Sequence, residues 1–321
     1  MVPKAELHAH LEGTASPELV KRLAARNSMS LPAELFDNDE TFRWTTFLEF
    51  LNAYDLASAV IKTPEDYRDV TYDYLKQCAE ENTIYVEVMS SPDHAAMAGM
   101  NYQDHLDGIV QGIEDARADF GIEGRIIVTC VRHLGPERSI EVAKQVVATL
   151  HPLVVGFGMG GDENAHHPSD FSTAFNIAHE AGLLCNVHAG EMAGPQSVHA
   201  ALDYLPVKRI GHGVRSIEDP NLVRRLIDED ITLEICPGSN IALGVYPNFE
   251  EHPFLKLREM GCKVTLSSDD PPFFHTSIGN EYKIAANHFA LSDDELKEVT
   301  KTSLENSFAD QKTKDKLMAC L

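Results

Sequence analysis

The stretch Ala5–Gly13 reads AELHAHLEG and sets two histidines one residue apart at the end of an apolar run. In an extended strand, residues i and i+2 project to the same side, so His8 and His10 aim both imidazoles at one point. Such a pair can chelate a metal ion, although a solvated strand end would also tolerate two histidines. Residues elsewhere in the chain distinguish a metal-binding pair from a solvated strand end.

Short β-branched runs recur along the whole sequence and alternate with helical patterns. This alternation favours parallel strand pairing. Eight such units in 321 residues predict one (β/α)8 barrel domain over residues 1–321, a TIM-type α/β fold. An open doubly wound sheet is the alternative, but no GxGxxG follows the first strand. The eight predicted strands are Ala5–His10, Ile84–Val88, Arg125–Val131, Leu153–Phe157, Leu183–His188, Lys208–Ile210, Thr232–Ile235 and Lys263–Ser267.

Two helices carry clear end signals, and one connection is unusually long. Ser16 before Pro17 is typical of an N-cap, and Gly182 after a pattern over 170–181 is typical of a C-cap. The first connection runs from Leu11 to Thr83 and contains Phe47 and Phe50 at helical spacing. These aromatic residues predict either ordinary core packing or an apolar helical lid over the barrel mouth.

Composition excludes several classes of function. The formal net charge of −23 disfavours nucleic-acid binding, which needs clustered cations to neutralise phosphates. No apolar stretch approaches the roughly 20 residues of a membrane span, and no signal peptide is recognised, so we expect a cytoplasmic protein. The six cysteines form no CxxC pair, which favours reduced thiols. Any metal site must therefore rely on His, Asp and Glu.

Reactive side chains cluster where four predicted strands end. Active sites of such barrels lie at the carboxyl ends of the strands, so these residues are expected to meet at one rim. They are His8 and His10 of the first strand, His188 and Glu191 of the fifth, His212 of the sixth, and Asp269 and Asp270 of the eighth.

The chemistry of these side chains predicts a different role for each group of residues. A catalytic zinc takes imidazole and carboxylate ligands and leaves one position for water, whose pKa it lowers toward about 7. His8, His10, His188 and Asp269 could supply the ligands. His212 could orient the resulting nucleophile, and Glu191 could exchange protons with the substrate. Asp270 could accept a hydrogen bond from the substrate.

The motifs that carry these residues resemble the adenosine deaminase family of the amidohydrolase superfamily. The resemblance rests on ELHAHLEG, YVEVMSSP, GDE, HAGE, GHGV, CPGSN and SSDDP, in this order along almost the entire chain. It implies a barrel enzyme with one Zn²⁺ that replaces a purine 6-amino group with oxygen. By this resemblance Glu191 would protonate N1, Asp270 would bond to N7, and the backbone of Gly161 would meet N3. Phe47 and Phe50 would belong to the apolar lid.

The motifs point to two possible substrates for this reaction. The familiar adenosine enzymes read HLDG where this chain has Glu12, a position implied to contact ribose, whereas HLEG also occurs in adenine deaminases. The stretches GDE and DDPPFFHTSIGNEY look more like the nucleoside enzymes, so the sequence favours adenosine, with adenine or another 6-aminopurine nucleoside as the alternative.

Three other functions were weighed. A binuclear amidohydrolase would need a bridging lysine near the fourth strand, which LVVGFGMGG lacks. A cytidine-deaminase type of site would need a CxxC. A non-catalytic barrel that binds zinc or a nucleoside remains the third alternative, and the oligomeric state is left open.

Overall fold

Eight parallel strands form a nearly closed barrel in the computed structural model, which describes residues 2–38 and 40–321. The predicted (β/α)8 barrel is confirmed, and each predicted barrel strand overlaps an observed one. The described residues contain ten strands: β1 (Lys4–His10), β2 (Phe36–Asn38), β3 (Thr41–Phe42), β4 (Thr83–Ser90), β5 (Glu123–Val131), β6 (Val154–Gly160), β7 (Leu184–Ala189), β8 (Val207–His212), β9 (Thr232–Ile235) and β10 (Lys263–Leu266).

The barrel strands follow the order β1-β4-β5-β6-β7-β8-β9-β10, and β2 and β3 pair with each other outside the barrel. The ring closes just beyond β10. There the Asp269 N–H donates to the His8 carbonyl (2.9 Å), and the His10 N–H donates to the Asp269 carbonyl (3.0 Å). Closure therefore brings the metal-ligand candidates of the first and last strands side by side.

Helices surround the barrel and cover its outer face. Parallel sheets are covered on both faces, and every residue of β5 is accordingly buried. The helices are α1 (Pro17–Arg26), α2 (Phe47–Ser58), α3 (Pro64–Glu80), α4 (Pro92–Met97), α5 (Tyr102–Phe120), α6 (Pro136–Ala148), α7 (Ser172–Glu180), α8 (Pro195–Tyr204), α9 (Pro220–Asp228), α10 (Pro237–Ala242), α11 (Phe254–Glu259), α12 (Pro271–Phe274), α13 (Ile278–His288), α14 (Asp293–Asn306) and α15 (Gln311–Met318).

Both predicted helix-end signals are confirmed. The Ser16 hydroxyl accepts from the Leu19 N–H (3.2 Å), with Pro17 as the first residue of α1. After α7, Gly182 has a φ of 93°, the left-handed conformation that ends helices without a Cβ penalty.

The long first connection places α2 over one side of the barrel mouth. The Phe50 ring is buried and lies 4.9 Å from Phe274 and 5.5 Å from Phe273 of α12, between ring centroids. The Trp44 indole N–H donates to the Phe273 carbonyl (3.1 Å). The aromatic residues of α2 therefore both pack into the core and cover the cavity at the mouth.

The state of the cysteines and the character of the helices bear on two expectations from the composition. All six cysteines are free, five of them buried and Cys320 exposed. Among the described residues, no helix has the length and apolar character needed to cross a bilayer.

Candidate active site

Three imidazoles and one carboxylate converge at the carboxyl ends of β1 and β7 and just after β10. The His188 Nε2 lies 3.0 Å from the Nε2 atoms of both His8 and His10. The Asp269 Oδ1 lies 3.5 Å from the His8 Nε2 and 3.4 Å from the His10 Nε2. The structure thus brings together all four residues that the sequence proposed as metal ligands.

The hydrogen bonds behind these rings turn their lone pairs toward a common point. The His8 Nδ1–H donates to Glu234 (2.7 Å), and the His188 Nδ1–H donates to the Met159 carbonyl (2.9 Å). In the neutral imidazoles, the facing Nε2 atoms are therefore both acceptors. Two lone pairs at this separation repel each other unless a cation lies between them, so the donor set fits a bound metal ion.

The pKa values of the side chains in the cluster also fit a bound metal ion. Burial alone would lower the pKa of His8, but its contacts with Asp269 and Glu234 outweigh burial and raise the pKa to about 10. Burial lowers the pKa of His10 to about 4, and burial together with the neighbouring His8 holds that of His188 well below its usual range. Burial alone would raise the pKa of Asp269, but the hydrogen bond from His8 and the surrounding imidazoles hold it well below its usual range. The cluster therefore favours a positive charge among its rings, as a cation site does.

His212 lies beside this cluster, between the metal-ligand candidates and Glu191. Its Nε2 is 3.8 Å from the Asp269 Oδ2, and its Nδ1 is 3.6 Å from the Glu191 Oε1. Burial lowers the pKa of His212 to about 3, so the ring is neutral near pH 7. The donor atoms of His212, His8, His188 and Asp269 lie within 4.8 Å of one another, so His212 is close enough to act on a group held at the cluster.

Two of these side chains are held by unusual backbone conformations. His212 has a φ of 58° and Asp269 a φ of 65°. Residues other than glycine rarely adopt this region, and such strain concentrates at functional sites. The left-handed turns direct both side chains toward the cluster at the points where their strands end.

Glu191 offers a buried carboxyl oxygen to the cavity. Its Oε1 has no hydrogen-bond partner among the described residues. Burial, and then the charges of Asp269 and Glu163, hold the pKa of Glu191 well above its usual range. A raised pKa favours the protonated form of the carboxyl group, which a general acid needs.

Glu163 fixes the loop that carries Glu191. Its carboxylate accepts from the backbone N–H groups of Gly190 (2.5 Å), Glu191 (3.1 Å) and Ala193 (2.8 Å), and from the Ser197 hydroxyl (2.6 Å). This role of Glu163 was not predicted from the GDE motif. An acid buried next to a glycine-rich strand end was the available signal.

Asp270 lies next to the cluster, with donor atoms of His10 and Asp269 within 4.8 Å, and packs against a glycine. Its Oδ1 is buried and has no hydrogen-bond partner among the described residues. Burial and the adjacent Asp269 hold the pKa of Asp270 well above its usual range. A Cβ at Gly13 would lie 1.7 Å from the Asp270 Oδ1. The glycine of the opening motif is thus required by the position of this carboxyl group.

Glu12 is buried at the cavity wall and is held by four protein donors. Its Oε1 accepts from the hydroxyls of Ser90 (2.6 Å) and Tyr67 (3.2 Å) and from the Ser91 N–H (3.2 Å). Its Oε2 accepts from the Tyr54 hydroxyl (3.2 Å) on α2. An ionised carboxylate offers about four acceptor positions, so the protein itself uses most of the capacity of this side chain.

The cavity above the cluster has a volume of about 80 Å³. Its wall includes all the residues predicted to contact the substrate: Glu12, Phe47, Phe50, Gly161 and Asp270. Phe47 and Phe50 line it from α2, and Gly161 lines it with a φ of 97°. Asp55 and His94 also line the cavity, although neither was predicted from the sequence. The His94 Nε2 lies 3.1 Å from the Asp55 Oδ1.

The two residues that directly follow β5 differ in position. His133 lines the cavity. Arg132 is not among the lining residues, and its guanidinium donates to the carbonyls of Ala165 (2.8 Å) and His166 (3.0 Å). Arg132 therefore supports the loop that follows β6.

Comparisons with known proteins agree with this geometry. A protein-family model described as "Adenosine deaminase" matches residues 3–321. An adenine deaminase of Chelativorans sp. is 50% identical over 321 residues, which cover 100% of this chain and 98% of that protein.

Two solved structures share the fold over almost their whole lengths. The structure of an adenine deaminase from Arthrobacter aurescens has a TM-score of 0.92 at 31% identity, covering 99% of this chain and 98% of that one. A Burkholderia ambifaria amidohydrolase with bound zinc has a TM-score of 0.90 at 26% identity, covering 99% and 89%.

Proposed function

Because the chain belongs to the adenosine deaminase family and is a hydrolase that deaminates a purine, we propose that it converts adenine to hypoxanthine and ammonia. The whole chain, residues 1–321, would serve as one metal-dependent deaminase domain. This choice corrects the preference for adenosine in the sequence analysis. The relative from Chelativorans and the structural neighbour from Arthrobacter are both adenine deaminases, which favours the alternative.

The hydrogen bonding of Glu12 is the single observation that carries the choice of adenine. A ribose-binding acid must offer its acceptors to sugar hydroxyls, whereas here the Tyr54 and Tyr67 phenols, a serine hydroxyl and a backbone N–H bond to Glu12. A sugar hydroxyl would have to fit beside these donors or displace one of them. Adenine makes no such demand, since it has no sugar.

The metal is proposed to be one Zn²⁺ per chain, held by His8, His10, His188 and Asp269. Three imidazoles and one carboxylate are a donor set that suits zinc, and the zinc-bound structural neighbour supports this identity. When bound, the ion supplies the Lewis acidity that activates water at neutral pH.

The remaining residues act on the purine and on the attacking water. Protonated Glu191 would give its proton to N1, which makes C6 electrophilic enough to accept the oxygen of water. The C6–N6 bond then breaks, and the two protons of the water go to the departing ammonia and back to Glu191. Neutral His212 lies between Glu191 and Asp269 and would orient the water. Protonated Asp270 would donate to N7, the Gly161 backbone would meet N3, and Phe47 and Phe50 would exclude bulk water.

The free cysteines indicate the compartment in which the protein works. Free cysteines, five of them buried, suit a reducing compartment, so we infer that the protein works in the cytoplasm. Its partner is a small-molecule purine.

The proposal is tested by measuring ammonia release and the change in purine absorbance with adenine, adenosine and 2′-deoxyadenosine. The metal-loaded protein should deaminate adenine with much the highest kcat/KM, and chelator treatment should abolish turnover. Faster turnover of adenosine than of adenine would overturn the assignment of substrate.

A variant of Glu12 tests the carrying observation directly. Glu12→Asp withdraws the carboxylate by one methylene from Ser90 and Tyr67, so kcat/KM for adenine should fall by at least about tenfold. The matched control is Glu18→Asp, the same change at an exposed position of α1, which should leave kcat/KM unchanged. An E12D variant as active on adenine as the control would show that the hydrogen bonds of Glu12 do not maintain the adenine site.

A further inference from the structure

Beneath the metal-ligand cluster, a line of buried charges runs through the interior of the barrel. Its first member is Glu234 in the middle of β9, which is fully buried. One oxygen, Oε2, accepts from the His8 Nδ1–H (2.7 Å), while Oε1 forms an ion pair with the Arg209 Nε (2.5 Å). The Asn186 amide also donates to both oxygens, at 3.3 and 3.1 Å. Glu234 is therefore held from three sides.

Arg209 continues the line away from the cluster. Its side chain is 1% exposed, its Nη2 donates to Glu87 (2.6 Å), and its Nη1 donates to the Asn306 carbonyl (3.2 Å). The guanidinium also lies 3.6 Å from the centroid of the Phe308 ring. Glu87 in turn accepts from the Tyr85 hydroxyl (2.6 Å).

Such an arrangement is costly as a means of stabilising a fold. Removing charged groups from water carries a desolvation penalty of several kcal/mol per ion, which their mutual attraction often only balances. Hydrophobic side chains of similar volume would serve a barrel interior as well. The alternation of charges ends at a metal-ligand candidate, and this suggests a role in the site.

We infer that Glu234, held by Arg209, is a positioning residue that orients His8 and strengthens it as a metal ligand. A carboxylate behind an imidazole fixes the tautomer and the ring plane and increases the basicity of the facing nitrogen. Arg209 holds the carboxylate of Glu234 in place, and Glu234 thereby places a negatively charged group one imidazole away from the ion.

The contrast with His188 shows what is particular to His8. The second nitrogen of His188 bonds to a neutral acceptor, the Met159 carbonyl, whereas that of His8 bonds to a charged side chain. The donor strength of His8 thus depends on a replaceable residue. This inference rests on the proposed metal role of His8 but not on the identity of the purine.

The test compares two isosteric substitutions on either side of Arg209. Glu234→Gln removes the charge behind His8, and Glu87→Gln is the matched control because it removes an equally buried charge that does not contact His8. Zinc affinity of each full-length protein is measured by competition with a chromogenic chelator. The absorption spectrum of the cobalt-substituted protein and the melting temperature are recorded in parallel.

We expect E234Q to bind zinc about 10- to 100-fold more weakly and to show an altered cobalt spectrum. E87Q should have a lower melting temperature, with its zinc affinity within about threefold of the wild type and its cobalt spectrum unchanged. Unchanged zinc affinity in E234Q would overturn the inference. Equal losses of affinity in both variants would also overturn it, because they would indicate only a structural role.

Two further arms keep the test decisive. If E234Q does not fold, Asn186→Ala removes two hydrogen bonds to Glu234 and should weaken zinc binding in the same direction; unchanged affinity would overturn the inference. If wild-type protein binds zinc but does not deaminate adenine, the proposed function fails while the positioning role of Glu234 is still tested by zinc affinity.

Discussion

Substitution of Glu163 by glutamine tests whether this buried acid controls the loop that carries Glu191. The amide oxygen can face the N–H groups of Glu191 and Ala193, and the Ser197 hydroxyl can turn to accept from the new NH₂ group. The Gly190 N–H is then left facing another N–H. One charge-assisted hydrogen bond is lost and one buried donor is left unsatisfied, at a combined cost of about 2–4 kcal/mol.

This cost translates into a measurable change in melting temperature. With an unfolding entropy near 2.1 cal/mol/K per residue, roughly 0.7 kcal/mol/K for this chain, the melting temperature of E163Q should fall by about 3–6 °C. Release of the loop should also displace Glu191, and displacements near 1 Å cost about 10²-fold in rate. The kcat/KM for adenine should therefore fall by about that factor.

Ser197→Ala is the control for this prediction. It removes the one side-chain donor to Glu163 and keeps the three backbone bonds, so it should cost about 1 kcal/mol and leave kcat/KM nearly unchanged. Calorimetry and ammonia release measure the two effects. An E163Q protein with wild-type melting temperature and kcat/KM would refute the reasoning, and a change in melting temperature alone would restrict Glu163 to a structural role.

Three other substitutions probe separate parts of the site and its surroundings. Glu191→Gln should keep the metal content, measured by atomic absorption, while kcat falls by about 10²–10⁴-fold through loss of the proton donor; a fully active variant would exclude Glu191 from proton transfer. Gly13→Ala places a Cβ 1.7 Å from the Asp270 Oδ1, so kcat/KM for adenine should fall with metal content unchanged, and wild-type kinetics would contradict the proposed contact of Asp270. Burial raises the pKa of Glu281 from 4.5 to about 8, so the folded state binds a proton that the unfolded state has lost between these values. The wild-type free energy of unfolding, from urea titrations, should therefore fall relative to that of Glu281→Gln as pH rises from about 5 to 8, and a constant difference would contradict the raised pKa.

The barrel and the gathering of its reactive residues could be predicted because both depend on local patterns. Strand and helix periodicity gave the eight units, and the rule that barrel sites lie at strand ends brought His8, His188 and Asp269 to one rim before any coordinates were known. The nearest Nε2 atoms of the three histidines lie 3.0 Å apart in the structure. Residues far apart in the sequence could be placed together, because the order of the strands around the barrel determines which strand ends are close.

The groups that support these residues could not be derived in the same way. The bonds of Tyr54 and Tyr67 to Glu12 join residues 42 and 55 positions apart, and no spacing rule predicts which phenol meets which acid. The left-handed turns at His212 and Asp269 follow from tertiary packing. Charged residues within short apolar strands, such as Glu234 and Arg209, were a visible signal of an internal network, but their partners required coordinates.

The central claim is that one ion held by His8, His10, His188 and Asp269 is the centre of adenine deamination. Anomalous diffraction at the zinc edge from crystals of the active, metal-loaded protein tests it most directly. We expect one strong peak per chain, within coordination distance of the three Nε2 atoms and an Asp269 oxygen, on the side of the cavity that holds Glu191. A peak on other residues, two peaks in the cavity, or an active crystal with no peak would contradict the claim.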